Sequence, residues 1–174
     1  WIDAHGDLNT PGTSKSGNVH GMPLAALLGH GDAAMVDIAG QAPALRVSDL
    51  AMVGLRDLDA AERSHIKKWK LNAFTMRAFD ERGVRAVLEE AITIATRDTA
   101  GIWVSFDMDV IDPEEAPGVG TAVPGGMTYR EAHLAMEMLA DTGKLIGVDM
   151  VEVNPVLDER NRTAEIACEL ICSA

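Results

Sequence analysis

The sequence predicts an α/β protein, a three-layer α/β/α arrangement around a mostly parallel central sheet, and three observations carry that prediction. Apolar runs of strand length, LAMVGL at 50–55 and GIWVSF at 101–106, lack the in–out alternation of a half-exposed strand, so both of their faces need cover. Between such runs lie helical segments with apolar stripes, as at Val84, Val87, Leu88, Ala91, Ile92 and Ala95. Strands alternating with helices of that length make parallel crossovers. The longest non-periodic stretches, 6–20 and 108–127, each follow the end of a strand-like run, which is where open α/β sheets bind ligands.

Each element has its own local signal. Trp1-Ile2-Asp3 reads as the tail of a strand, and with no initiator Met the chain reads as the C-terminal part of a longer fold whose N-terminal strands are missing. GMPLAALLG (21–29) predicts a short helix, with Pro23 in its first turn and Gly29 at its end. Leu50–Leu55 is a strand, and Asp59 caps a helix that runs through about Trp69. Leu71–Thr75 is a weaker strand and Val84–Arg97 a strong helix. Gly101–Phe106 is a β-rich strand running straight into Asp107. Thr128 and Glu131 form a capping box for a helix through about Asp141. Leu145–Val151 is a further strand, and a last helix begins near Thr163. No linker, repeat or low-complexity segment divides residues 1–174, which read as a single domain.

Composition narrows the partners. Lys and Arg total 15 against 27 Asp and Glu, a net charge of −12, which argues against a nucleic-acid partner, because phosphate binding needs a basic face. No apolar run reaches membrane-spanning length and no signal peptide is visible, so no membrane partner is expected and the location reads as cytoplasmic. Cys168 and Cys172 do not resemble a disulfide framework and read as reduced thiols in the core.

The chemistry lies in two acidic clusters. WIDAHGDLN opens the chain, and its Asp3, His5 and Asp7 share a face if the backbone stays extended. Taken alone, that stretch fits a solvated turn slightly better. SFDMDVIDP (105–113) repeats the pattern, with Asp107 and Asp109 at the end of the clearest strand. Two strand ends that bring paired carboxylates to one sheet edge concentrate a charge that only cations relieve. Four carboxylates and one imidazole suit two divalent ions. The oxygen-rich set favours Mn²⁺ or Mg²⁺ over Zn²⁺, and His5 tilts it towards Mn²⁺. A carboxylate-bridged ion pair makes hydroxide from water near neutral pH. Four other residues read more simply: His30 as a surface-loop residue, His65 as solvated on a charged helix face (ERSHIKK), His133 as a packing or subunit-contact residue, and Asp112 as a turn cap.

Six motifs occur in order along the chain: DAHGDLN (3–9), SKSGNVHGMP (14–23), GLRDLD (54–59), SFDMDVIDP (105–113), GVGTAVPGGMTYRE (118–131) and VEVNP (151–155). Together they resemble the arginases, binuclear manganese hydrolases of the ureohydrolase family. The resemblance implies hydrolysis of L-arginine to L-ornithine and urea by a hydroxide bridging two Mn²⁺ ions, in a homo-oligomer, a trimer or hexamer. It assigns metal ligation to Asp3, His5, Asp7, Asp107 and Asp109, with Asp3 and Asp107 as bridges. His20 matches the histidine that passes protons to the leaving amine, and Asp109 the carboxylate that steadies the nucleophile. Glu152 matches the acceptor of the substrate guanidinium, with Thr121 nearby. Asn9, Ser16 and Asn18 match groups that hold the substrate α-carboxylate, while Asp59, assisted by Glu62, matches the group that holds the α-amino group. Neutral donors at the first three positions argue for arginine over agmatine, which has no carboxylate.

One departure stands out. The family's further metal-binding histidine, in a GGDHS-type motif, has no counterpart in this sequence. Two competing readings therefore accompany the arginase one. The first is another guanidino-compound amidinohydrolase, such as an agmatinase. The second is a catalytically incomplete fragment lacking one metal ligand.

Overall fold

The computed structural model describes residues 1–174. Its first strand-like residues are not peripheral. Ile2 bridges in parallel to both Val53 and Phe106, through Ile2 N–H to Ser105 O, Asp3 N–H to Val53 O, Val53 N–H to Trp1 O and Asp107 N–H to Ile2 O, at 2.8–2.9 Å. The opening residues, read from the sequence only as the tail of a strand, thus lie in the middle of a sheet.

On one side of them lies β1 (Ala51–Leu55), followed by α3 (Ala60–Trp69) and β2 (Asn72–Thr75); α1 (Pro23–Leu27) and α2 (Ala33–Val36) precede β1 in the chain. Next come α4 (Met76–Arg82) and α5 (Val84–Thr96). On the other side lie β3 (Ile102–Asp107) and, after α6 (Tyr129–Asp141), β4 (Leu145–Val151), with α7 (Arg162–Ser173) last. β1 pairs with β2 and β3 with β4, both in parallel. The order across the sheet is therefore β2, β1, residues 1–3, β3, β4, all running the same way.

Local sequence explains the helix boundaries. The Asp59 carboxylate accepts from the N–H groups of Ala61 and Glu62 while Glu62 reaches back to the Asp59 N–H, a complete capping box. Thr128 and Glu131 repeat it at α6. α1 starts at Pro23 and ends before Gly29, whose φ of 85° suits glycine. Sequence patterning did not find α4: it has seven residues and buries only Phe79, too little for a stripe.

Two apolar clusters sandwich the sheet at β1. Ala51 and Val53 face a 25-residue core shared with Val104, Phe106, Val87, Met136 and Leu170. Met52 and Leu55 face a 7-residue core with Leu8, Leu24 and Leu28, against which Ile66 and Trp69 of α3 pack. Three layers are complete here. At β3–β4 the second face lacks a helix, and Trp103 and Ile146 stand 62% and 67% exposed. The expectation of cover on both faces holds for β1 and not for this half of the sheet.

The cysteines also differ from expectation. α7 buries Thr163, Ile166, Ala167 and Leu170, a stripe at helical spacing that turns Cys168 and Cys172 outward. Both are free and exposed, not core thiols.

Candidate active site

The carboxyl ends of residues 1–3, β1, β3 and β4 converge on a cleft of about 520 Å³. His5, Asp7, Asn9, His20, Asp57, Asp59, Glu62, Asp107, Asp109, Thr121, Asp149 and Glu152 are among its walls. Parallel strands deliver their C-terminal loops to one edge of the sheet, so residues far apart in sequence meet there.

On its floor Asp3, His5 and Asp109 each offer one ligand atom, and these atoms lie within 4.8 Å of one another. Asp3 and Asp109 are each only 1% exposed, and Asp107 7%. His5 Nδ1 sits 3.0 Å from Asp109 Oδ2 and 3.5 Å from Asp3 Oδ1. Asp3 also accepts from the His5 N–H at 2.7 Å and from Trp1 Nε1 at 2.9 Å. The Asp109 carboxylate accepts from Thr121 Oγ1 at 2.9 Å, and the Asp109 N–H donates to Asp107 at 2.9 Å. Asp7 and Asp107 line the cleft without joining that three-residue group. For Asp7 the reason is local: its φ of 53° is left-handed, so it leaves the extended alternation that the sequence spacing assumed.

The electrostatics show what the cluster is short of. Burial first, then the neighbouring charge of Asp3, pushes the Asp7 carboxyl up to about 9. Asp107 is likewise raised to about 9, by burial and then by Asp3 and Asp109. Burial alone would lower the His5 pKa, but hydrogen bonds and charge from Asp109 and Asp3 outweigh it and raise it to about 11. Burial also opposes ionisation of Asp109, yet its bonds to His5 and Thr121 hold it below the usual carboxylate range. Protons therefore do here what cations would otherwise do. An oxygen-rich donor set with one imidazole, buried and negative to that degree, fits divalent metal.

The substrate-side residues fall into two groups. Asn9 Nδ2 donates to Asp59 Oδ2 at 3.0 Å, and Glu62 accepts from the Leu8 and Asp59 N–H groups. Burial raises the Glu62 pKa, whereas Asp59, despite the opposing effect of burial, is lowered by the N–H groups that it caps and by Asn9. Gly6 permits this closeness, since a Cβ there would lie 2.8 Å from Glu62 Oε1. His20 and Glu152 are exposed side chains on the cleft walls, and Glu152 holds a left-handed φ of 63°. Ser16 and Asn18 sit on an exposed turn outside those walls, where Ser16 Oγ accepts the Asn18 N–H at 3.2 Å.

Two residues matter that the sequence reading gave no such role. Arg56 donates to the carbonyls of Asp109 (2.7 Å), Val110 (3.0 Å) and Val123 (3.1 Å from Nε), stapling the loop that carries Asp109 to the loop that carries Thr121. A lone cation inside GLRDLD was the available signal. His65 is not solvated: its Nδ1 bonds the Leu8 carbonyl at 2.8 Å and its ring stacks on Trp69 at 4.2 Å. The fold brings the strand-end loop back onto α3, which helix-face charge alone did not foretell. His30 is exposed, as expected, and lies on Trp69. His133 is buried packing between α6 and α7, and Asp112 does cap turns, accepting from Glu114, Gly125 and Gly126.

Comparison with known proteins shows the family of the chain. A family model described as the arginase family matches residues 1–174. The arginase of Bacillus caldovelox is 49% identical over 173 residues, covering 99% of this chain and 58% of its own length. The crystal structure of arginase from Bacillus cereus superposes with a TM-score of 0.96 at 48% identity, over 99% of this chain and 60% of that one. The formimidoylglutamase of Bacillus subtilis matches with a TM-score of 0.82 at 26% identity, over 99% of this chain and 50% of that one. The chain thus spans somewhat over half the length of the arginases that it matches.

Proposed function

From the premise that this chain belongs to the arginase family, we propose that its cleft hydrolyses the guanidino group of L-arginine, giving L-ornithine and urea. The observation that carries the proposal is the meeting of buried Asp3 and Asp109 with half-buried His5 at the foot of a cleft whose wall at Asn9, Asp59 and Glu62 is hydrogen-bonded in place.

In this reading Asp3, His5, Asp7, Asp107 and Asp109 hold two divalent ions, Mn²⁺ by preference. Such ions supply Lewis-acid activation of water at neutral pH and neutralise developing charge. The remaining work belongs to the side chains. Thr121 fixes the orientation of the Asp109 carboxylate by donating to it, so Asp109 meets the attacking oxygen with one lone pair direction set. Glu152, on the cleft wall, receives the cationic guanidinium. Attack at the guanidinium carbon breaks the bond to the substrate's side-chain nitrogen, which leaves as an amine and must gain a proton. His20, on the cleft wall and open to solvent, carries that proton between bulk water and the leaving nitrogen.

Recognition of the other end of the substrate uses the walls at α3. Asp59 meets the α-amino group, supported by Glu62, while Asn9 meets the α-carboxylate with Ser16 and Asn18 from the turn before His20. Asn9 and Asp59 are already bonded to each other, so their geometry is set before substrate arrives. The same reading places the chain in the cytoplasm as a homo-trimer or hexamer, which light scattering of the purified chain checks. No helix is long and apolar enough to cross a membrane.

The test is urea release by this chain with added Mn²⁺, on L-arginine and on agmatine, with bound metal counted on the same sample. The expected result is urea from L-arginine, agmatine a poor substrate, and two ions per chain. Equal use of agmatine would overturn the assigned carboxylate contacts. No urea with at most one ion would overturn the activity of this chain.

A further inference from the structure

Asp59 caps α3, and Glu62 and His65 follow at three-residue steps, so each side chain neighbours the next around the helix start. Each one holds the same short piece of the strand-end loop. Asp59 takes the Asn9 side-chain amide at 3.0 Å, Glu62 takes the Leu8 N–H at 3.4 Å, and His65 Nδ1 meets the Leu8 carbonyl at 2.8 Å. The rest of that piece is tied on its other side, by Ala25 N–H to Asp7 O (3.0 Å) and Asn9 N–H to Gly21 O (3.1 Å). Leu8 itself is fully buried among Leu24, Leu28, Met52 and Leu55.

His65 is the member of this set whose orientation is independently fixed. A carbonyl only accepts, so the proton of the bond is on Nδ1. The ring lies on Trp69 with a 4.2 Å centroid separation and a 10° interplanar angle, and His30 also stacks on Trp69, at 4.0 Å and 12°. These flat contacts hold the imidazole plane, and with it the direction of the donated hydrogen.

Resting on the reading of the cleft as an arginine site, we propose that His65 is a positioning residue for substrate selection. It never touches substrate. By fixing the Leu8 carbonyl it fixes the peptide that leads into Asn9, and so the angle at which Asn9 meets an amino acid's α-carboxylate. Its effect belongs to substrates that carry that carboxylate and is absent for those without it. Loss of a donor one residue away from a contact group shifts binding more than chemistry, because the guanidino end is anchored elsewhere in the cleft.

Two variants separate the bond from the stack. His65→Phe keeps a flat ring for Trp69 and deletes the donor; His65→Asn keeps a donor near the Nδ1 position and deletes the ring. With His65→Phe the KM for L-arginine should rise about tenfold while kcat stays within about twofold. The inhibition constant of agmatine should stay within about twofold, and exchange of the Asn9 amide hydrogen should accelerate at least about tenfold. His65→Asn should return the KM to within about threefold of the parent. An unchanged Asn9 exchange rate in His65→Phe overturns the proposal whether or not the chain turns over arginine. So does an unchanged KM, or an equal loss for arginine and agmatine, which marks a merely structural role. A parent chain that releases no urea defeats the reading of the cleft instead, and the exchange measurement still decides the role of His65.

Discussion

Replacing Arg56 by Met isolates the staple between the two loops of the cleft. Met fills most of the space of the aliphatic stem and donates nothing. Arg56 serves the carbonyls of Asp109 at 2.7 Å, Val110 at 3.0 Å and Val123 at 3.1 Å; a contact with Ile111 at 3.5 Å is too long to count. Val110 O also accepts from the Met127 N–H at 2.9 Å, so it keeps a partner in the variant. Two carbonyls, those of Asp109 and Val123, lose a charged donor worth about 1.5–3 kcal/mol each, giving a cost of about 4 kcal/mol. For a domain of 174 residues that lowers the Tm by roughly 8–16 °C. Arg56→Lys restores the charge but offers a single compact donor where a fork spans two loops, so it should recover less than about half of the loss. Circular dichroism melts of the three proteins, each with and without Mn²⁺, measure this. A loss below about 1 kcal/mol for the Met variant, or a Lys variant equal to the parent, would refute the staple.

Without metal, Asp7 and Asp107, each near 9 against an ordinary 3.8, bind protons when folded that the unfolded chain has released. The stability they contribute is complete below about pH 4 and is lost as pH rises through 9, and His5, raised from 6.5 to about 11, loses its contribution in the same direction, above its unfolded value. Urea unfolding of the metal-free chain should therefore give a falling free energy from pH 6 to 9, and a flat profile contradicts the assignment. Mn²⁺ must displace these protons, so its apparent affinity rises over that window, with proton release visible by calorimetry in two buffers of different ionisation enthalpy. Asp107→Asn imitates a carboxyl that is already neutral, keeping the metal-free Tm within a few degrees and abolishing the rise that Mn²⁺ causes; a retained rise removes Asp107 from the ligand set. His133 has a buried Nε2 with no partner and a Nδ1 bonded to Ser173 Oγ at 2.8 Å. His133→Phe removes an unmet polar atom worth about 1–3 kcal/mol for the loss of one bond worth about 1 kcal/mol, so its unfolding free energy should hold or rise, and a loss above about 1 kcal/mol speaks against this reading of the site.

Most elements were legible because their causes are local. Asp59 with Glu62 and Thr128 with Glu131 are helix starts that need no knowledge of the fold, and both capping boxes form. The pairing of the two acidic clusters was legible for a more general reason, that parallel strands send their ends to one edge. What stayed hidden depends on distant partners. Nothing local says that Trp1–Asp3 lies between β1 and β3, or that Leu8 returns to α3 and draws His65 in. Asp7 departs from the period-two pattern because its backbone turns left-handed, which residue spacing does not reveal. Cys168 and Cys172 were misplaced because one apolar-looking helix can turn either side inward until its neighbours are known; α7 turned Ile166 and Leu170.

The uncovered half of the sheet has a consequence for how the molecule behaves in a tube. β4 is hydrogen-bonded to β3 on one side only, and its Ile146 and the Trp103 of β3 lie bare. A free parallel edge next to apolar surface is a template for another chain. Against that stands a net charge of −12, whose mutual repulsion reaches about 30 Å in 10 mM salt and only about 8 Å at physiological ionic strength. Colloidal stability of these 174 residues is thus an ionic effect laid over an adhesive strand. Dilute buffer should keep copies of this chain apart, and salt should let them approach closely enough for the strand to act, which light scattering across a salt series checks.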